Sequence, residues 1–395
     1  MIQIRRFHLT EFLKTQRYFI PVMILFLQFH KLSYTEIFVL YAVESGLTFI
    51  LEIPSGVVAD QMGKKASLVF ARLILIPAYL LFALSDGFWG FFCAMGLLAL
   101  NKAFKSGTHK AYIYDYLAQN HPEISPTEVF GKNKFWARMG EAAASLSGGF
   151  IAARMGYSAV FWFALGPAAL NLLNALAYAH VKERHKTPEL SLKSHLRHIK
   201  ESLADIRCSP MLRRLIFNSA VFVVAMEAGE KFFQPYMVRT GIAVSLIGVF
   251  YAVIMLISAV GSRYIHLLER RWTVSKIVNL SGWLGVPPLL ILGLGWTSKG
   301  GIFLFFMILF LRATRRPPII TEMNRRICTQ RRATILSTDS LIEKLLGFIL
   351  LPVAGWVSDT YSFAFTSLVL AGLLILNQAF LSIQEVNPRP DTGRP

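Results

Sequence analysis

The segment Glu52-Ile-Pro-Ser-Gly56-Val-Val-Ala-Asp60-Gln-Met-Gly63-Lys64-Lys65 joins two long apolar runs, Thr35 to Ala59 and Ser67 to Leu84. Its two glycines permit close helix approach and a tight reversal. Asp60 sits beside Lys64 and Lys65 at the edge of an apolar layer, where charge stays hydrated. The segment therefore reads as a hairpin between two membrane-spanning helices. A phosphate-binding loop is excluded: the spacing from Gly56 to Gly63 is wrong, Lys65 stands where Ser or Thr is needed, and no buried strand precedes it.

The rest of the chain agrees with a membrane setting. Of 395 residues, 54% are apolar and only 16% charged, and the mean hydropathy is +0.49. Soluble domains usually carry about 25% charged residues. Lys and Arg total 41 against 23 Asp and Glu, a net charge of +18, but this hydropathy excludes a soluble nucleic-acid binder. Three cysteines rule out a disulfide scaffold. A spanning helix needs about 20 apolar residues, and the runs of such length predict twelve spans. They begin near Thr10, Thr35, Ser67, Phe88, Phe135, Ala159, Leu215, Ser245, Val274, Gly301, Ala333 and Phe363. The fourth is predicted to continue as helix toward Leu117. The predicted class is an all-α membrane protein of twelve transmembrane helices in two pseudo-symmetric six-helix bundles, residues 1–180 and 211–395. A linker, 181–210, joins them.

Basic residues crowd one set of loops, including Lys64, Lys65, Lys132, Lys134, Arg270, Arg271, Arg325 and Arg331. By the positive-inside rule these loops, and both termini, are expected in the cytoplasm, with the protein in the cytoplasmic membrane. No removable signal peptide is expected before the first span. In the linker, Leu192, Leu196, Ile199, Leu203 and Ile206 fall three or four apart, which predicts an amphipathic helix on anionic lipid that tethers the halves.

A repeat supports two parallel halves. Tyr18-Phe-Ile-Pro-Val-Met23 matches Phe232-Phe-Gln-Pro-Tyr-Met237, and Val39-Leu-Tyr-Ala-Val43 matches Val249-Phe-Tyr-Ala-Val253. Lys102-Ala103 and Lys105 match Arg312-Ala313 and Arg315. Parallel repeats with a site near mid-membrane are a transporter design. The Gly56 to Lys65 segment resembles the signature loop of the major facilitator superfamily, with Gln61 in place of its usual basic residue. Ser106-Gly-Thr108, Ala111-Tyr-Ile-Tyr-Asp115 and Arg332-Ala-Thr-Ile-Leu-Ser337 are similar to segments of its bacterial members. The resemblance implies that Gly56, Asp60, Gly63, Lys64 and Lys65 form a gating latch. In it, Asp60 would cap the span-11 helix or pair with a base such as Lys110. The span-5 stretch Ser145-Leu-Ser-Gly148-Gly149 lacks the proline usual in drug antiporters of the superfamily and reads as a packing surface.

Charges inside the spans are the second signal. An ion at a helix centre costs about 2.5–3.5 kcal/mol on insertion scales, so such residues must face each other or water. Glu44 and Glu52 in span 2, and Lys344 in span 11, belong to this set. If spans 1, 4, 7 and 10 line a cavity, as the resemblance implies, it is lined by Arg17, Lys102, Lys105, Glu227, Lys231, Gln234, Arg312 and Arg315. Such a cationic lining suits an anionic or zwitterionic substrate. Glu230, Glu141, Asp339 and Glu343 are the proton-coupling candidates. Glu227 with Lys231, and Arg138 with Glu141, have the spacing of simple intrahelical pairs.

These residues predict a secondary active transporter that moves a small molecule by alternating access, coupled to protons. Efflux is favoured on resemblance; the alternative is an uptake symporter or uniporter. No cofactor, metal or nucleic-acid partner is expected. Membrane lipids are expected partners, and the protein is expected to act as a monomer. A polytopic transferase would need a catalytic cluster at the membrane edge; His109 and Asp115 are too far apart for the usual acyl-transfer pattern.

Overall fold

The structure is a computed structural model that describes residues 1–105, 107–181, 209–295, 298–326 and 332–383. Its regular elements are all helical. The first part of the chain forms α1 (Ile2–Leu13), a 3-10 turn (Ile20–Val22), α2 (Met23–Phe29), α3 (Tyr34–Met62), α4 (Lys64–Leu84), α5 (Phe88–Lys105), α6 (Thr108–Asn120), α7 (Pro126–Met155) and α8 (Ala159–Leu176). The second part forms α9 (Pro210–Lys231), α10 (Phe233–Arg239), α11 (Val244–Glu269), α12 (Val274–Leu284), α13 (Val286–Gly293), α14 (Ile302–Arg326), α15 (Arg332–Thr360) and α16 (Phe363–Leu381). The amphipathic helix expected in the linker falls on residues 182–208, outside the described residues.

Local chemistry sets the boundaries. Ser33 and Glu36 form a reciprocal capping box at the start of α3: the Ser33 hydroxyl accepts from the Glu36 amide at 3.2 Å, and the Glu36 carboxylate from the Ser33 amide at 2.8 Å. Gly63, at φ +91°, reverses the chain between α3 and α4. Gly107, at φ +71°, separates α5 from α6, so the predicted fourth span is two helices. The first span is likewise broken between α1 and α2, beside Pro21, and the seventh at Phe232, three residues before Pro235. Proline has no amide hydrogen to donate, so each repeat-related motif loosens its helix at the same depth.

Among the described residues, six helical passes are long and apolar enough to cross a membrane by composition alone. Breaks shorten spans 1 and 7. Asn101, Lys102 and Lys105 depress α5, Arg138 and Glu141 depress α7, and Arg312, Arg315 and Arg316 depress α14. In α5 and α14 hydropathy is thus lost where the helices turn polar side chains inward.

Four apolar clusters hold the structure. Two draw on residues 4–181, around Phe26, Phe82 and Phe161 and around Phe7 and Tyr112. The other two draw chiefly on residues 211–383, and the larger of them also takes in Leu25, Phe38 and Ala42. The first and second parts meet along two antiparallel helix pairs, α3 with α15 and α7 with α11. Glycines allow the backbones to touch. A Cβ on Gly248 of α11 would lie 2.0 Å from the Ser145 carbonyl oxygen of α7, and one on Gly149 2.9 Å from that of Val244. The span-5 glycines are therefore contact points, Gly148 against the backbone of Tyr18 and Gly149 against α11.

At the end of the bundle where α3 begins and α15 stops, Asp359 accepts from the amides of Tyr34 (2.9 Å) and Thr35 (2.7 Å) and from the Thr35 hydroxyl (2.6 Å). A carboxylate at a helix N-terminus complements the helix dipole. Phe232 packs beneath, with ring centroids 5.3 Å from Tyr34, 5.5 Å from Phe38 and 4.9 Å from Phe363. Replacing Gly248 by Val should force α7 and α11 apart at a cost of about 1–3 kcal/mol. A lowered thermal unfolding midpoint of the detergent-purified variant is the expected result.

Candidate functional site

The two proline-linked breaks meet. Gln234 of α10 is 3% exposed. Its carbonyl oxygen accepts from the Ile24 amide at 2.8 Å, and its amide nitrogen donates to the Ile20 carbonyl at 2.9 Å and to the Tyr251 hydroxyl at 3.1 Å. One side chain thus satisfies backbone groups freed by the break in span 1 while standing on the break in span 7.

A cavity of about 190 Å³ opens beside this junction. Arg17, Tyr41, Glu44, Asn101, Lys102, Glu230, Lys231, Gln234 and Tyr251 supply its polar lining, and Phe19, Met23 and Met95 part of its apolar wall. A second cavity of about 190 Å³ shares Tyr41, Glu44 and Lys102 and extends to Glu227, Glu343 and Lys344. Both are lined from both parts of the chain.

The charges in this region are largely matched. Lys102 pairs with Glu44. Arg312 pairs with Glu230 and reaches Glu227 at 3.4 Å, and Lys231 reaches Glu227 at 3.6 Å. The Lys231 ammonium also lies 3.5 Å from the centre of the Tyr41 ring, a cation–π contact across the two parts. Arg316 is shared by Asp339 (2.7 Å) and Glu343 (2.9 Å), and Lys344 meets Glu52 at 3.2 Å. Arg17 lies beside the Tyr79 hydroxyl.

The structure thus gathers Arg17, Lys102, Glu227, Glu230, Lys231, Gln234 and Arg312 at or beside the central cavities. Lys105 and Arg315 point elsewhere. Lys105 lines a separate cavity with Lys14 and Lys110. Arg315 is 2% exposed, stacks 3.9 Å over Phe222 and donates to Asn218. Glu141 pairs with Arg138 at 2.7 Å and also lines the Lys105 cavity. In the hairpin motif, Lys64 pairs with Asp115 of α6, Gly56 is exposed, and Gly63 and Lys65 are half-buried at the α3–α4 turn. The Asp60 side chain, with its expected cap or partner, lies outside the described residues.

Sequence reasoning missed Arg316 and left Glu44, Tyr41, Asn101 and Tyr251 out of the site. Helical spacing would have offered Arg316 as a candidate, since it lies four residues from Arg312, but it would have offered Arg315, three residues on, equally. Among the described residues there is no cluster of metal-ligating side chains.

The model of the Major Facilitator Superfamily matches residues 13–338. The chain belongs to the major facilitator superfamily. Solved structures of superfamily transporters share the fold at low identity. The nucleoside transporter NupG aligns at TM-score 0.80 with 13% identity, over 96% of this chain and 98% of that one. A bacterial homologue of the human lysosomal transporter Spinster, inward-facing and occupied, aligns at 0.74 with 16% identity, over 96% and 95%. A POT family transporter in complex with 5-aminolevulinic acid aligns at 0.74 with 12% identity, over 96% and 95%. No curated protein is similar to it in sequence. This member of the superfamily is a multi-pass membrane transporter rather than an enzyme, and its cargo is a small molecule.

Among the described residues, Arg316 is the ion-pair partner of two carboxylates, Asp339 and Glu343, the first of them 1% exposed. Removing it as Arg316→Ala strands both, at a cost of about 2 kcal/mol or more. Thermal unfolding should show a lowered midpoint, and adding Asp339→Asn to the variant should restore part of the loss. Additive losses would show that the two side chains act independently.

Proposed function

We propose that this transporter is a proton-coupled secondary carrier of a small anionic or zwitterionic molecule, working by alternating access about the Gln234 junction. The observation that carries the reading is the central cavity, lined from both parts of the chain and holding Arg17, Lys102 and Lys231 with Glu44 and Glu230. Cations outnumber acids there by one, and both signs are within reach. A substrate bearing a carboxylate or phosphate meets Arg17, and an amino group on the same molecule meets Glu44 or Glu230. A purely cationic substrate is disfavoured by the three cations.

Twelve spans, in bundles of residues 1–180 and 211–395 joined by 181–210, form the moving parts. In this reading both termini lie in the cytoplasm and the protein in the cytoplasmic membrane, as the basic loops favour. A monomer contains the whole path. Export is the direction that the sequence resemblance favours.

Proton coupling rests on Glu230. Its carboxylate is held by Arg312, and protonating it releases that guanidinium for another anion. Glu343 and Asp339 offer a second such arrangement: two carboxylates face one guanidinium, so a single proton balances the group. The hairpin residues Gly56, Asp60, Gly63, Lys64 and Lys65 serve as the latch that opens and closes the cytoplasmic end.

The test is transport in proteoliposomes under an imposed pH gradient, scanning radiolabelled anionic and zwitterionic metabolites. Wild-type protein should move its substrate against a concentration gradient when the pH gradient is applied. Glu230→Gln should still exchange substrate but no longer concentrate it. Transport indifferent to the pH gradient would refute proton coupling.

A further inference from the structure

A cavity larger than either central one lies outside the central site. It has a volume of about 660 Å³ and is walled by α1, α5, α6 and α7 and the turns beside them. Five cationic side chains line it, Lys14, Lys105, Lys110, Lys134 and Arg138, against two carboxylates, Glu11 and Glu141. Both carboxylates are already engaged: Glu11 by Lys14 and by His109 at 3.3 Å, Glu141 by Arg138 at 2.7 Å. Among the described residues, Lys105, Lys110 and Lys134 have no acidic partner. Three cations around one cavity without a counter-charge repel one another, and an anion bound in the cavity would offset that repulsion.

The position of this cavity relative to the central one is set by helical spacing. Lys102 lines the central cavities and Lys105, one turn on, lines this one. Arg17 lines the central cavity, and Lys14, three residues earlier, lines this one. The electrostatic neighbours of Lys105 are Arg17, Lys14 and Arg72, with Glu11. Two stretches of chain, 14–17 and 102–105, thus each present one cationic side chain to either cavity. Tyr114 and Phe130 add flat apolar surface for the uncharged body of an organic anion.

We propose that this cavity is a second station for the substrate, which binds a doubly charged anionic group of the phosphate class before or after the central cavity. The inference rests on the transport reading above and narrows its substrate class to multiply charged anions.

The test is isothermal titration of the detergent-purified full chain, in uncharged detergent at fixed ionic strength, with inorganic phosphate and with pyrophosphate. Wild-type protein should bind both, pyrophosphate more tightly. Lys105→Gln and Lys134→Gln should each weaken binding about tenfold, the scale of one charge-assisted hydrogen bond. Lys231→Gln, in the central cavity, should leave this component in place. The unliganded unfolding midpoints of the Lys105 and Lys134 variants should match or exceed wild type, because repulsion is removed. Failure of wild type to bind either anion overturns the proposal, as does equal loss in Lys231→Gln. In nanodiscs, affinity that is the same in neutral and anionic lipid supports a soluble ligand. Stabilisation by phosphatidylglycerol without any phosphate binding assigns the cavity to a lipid headgroup and overturns it. Because binding is read without transport, the result stands apart from the outcome of the pH-gradient assay.

Discussion

An ion in hydrocarbon must find a partner, and here that requirement ties helix to helix. Lys102 with Glu44 joins α5 to α3, and Lys344 with Glu52 joins α3 to α15. Arg316 with Asp339 and Glu343 joins α15 to α14, and Arg312 with Glu227 and Glu230 joins α14 to α9. The pairs form an unbroken belt through five helices drawn from both parts of the chain. The same charges that spoil the hydropathy of α5 and α14 hold those helices in register. A bilayer enforces this more strictly than water, because an unpaired charge has no solvent to fall back on.

Beside the belt runs a seam of backbone chemistry. Pro21 and Pro235 loosen their helices at matching depth, and Gln234 satisfies backbone groups of the opposite segment. A glutamine suits the task because it carries donor and acceptor on one planar group. Belt and seam converge on the central cavity, where Lys102 and Glu230 already have partners of opposite charge.

Much of this was legible in the sequence. The proline motifs, the repeat and the intramembrane charges marked the first, fourth, seventh and tenth segments as polar; the structure brings Arg17, Lys102, Lys231 and Gln234 to one cavity, with Arg312 behind it on Glu230. Less visible was direction around the helix. Lys105 and Arg315 occupy equivalent places in the repeat, and both point away from the central cavities, one into a second cavity and the other onto Phe222. Repeat matching recovers depth along a helix but not azimuth. Pairing partners on other helices, such as Glu44 for Lys102, depend on tertiary packing that no local spacing encodes. The helix breaks at Gly107 and Phe232 were hidden because the helical pattern resumes within a residue or two on the far side of each.

Asp359 gives the structure one more property. Its three hydrogen bonds to the start of α3 end on a single carboxylate. They cannot be given up one at a time as the tips of α3 and α15 part, since one small movement of that side chain lengthens all three together. Separation at this end is therefore cooperative in the manner of a clasp. Such a contact favours two discrete positions over a continuum, and it concentrates the resistance to opening in one exposed residue that bulk ions and water can reach.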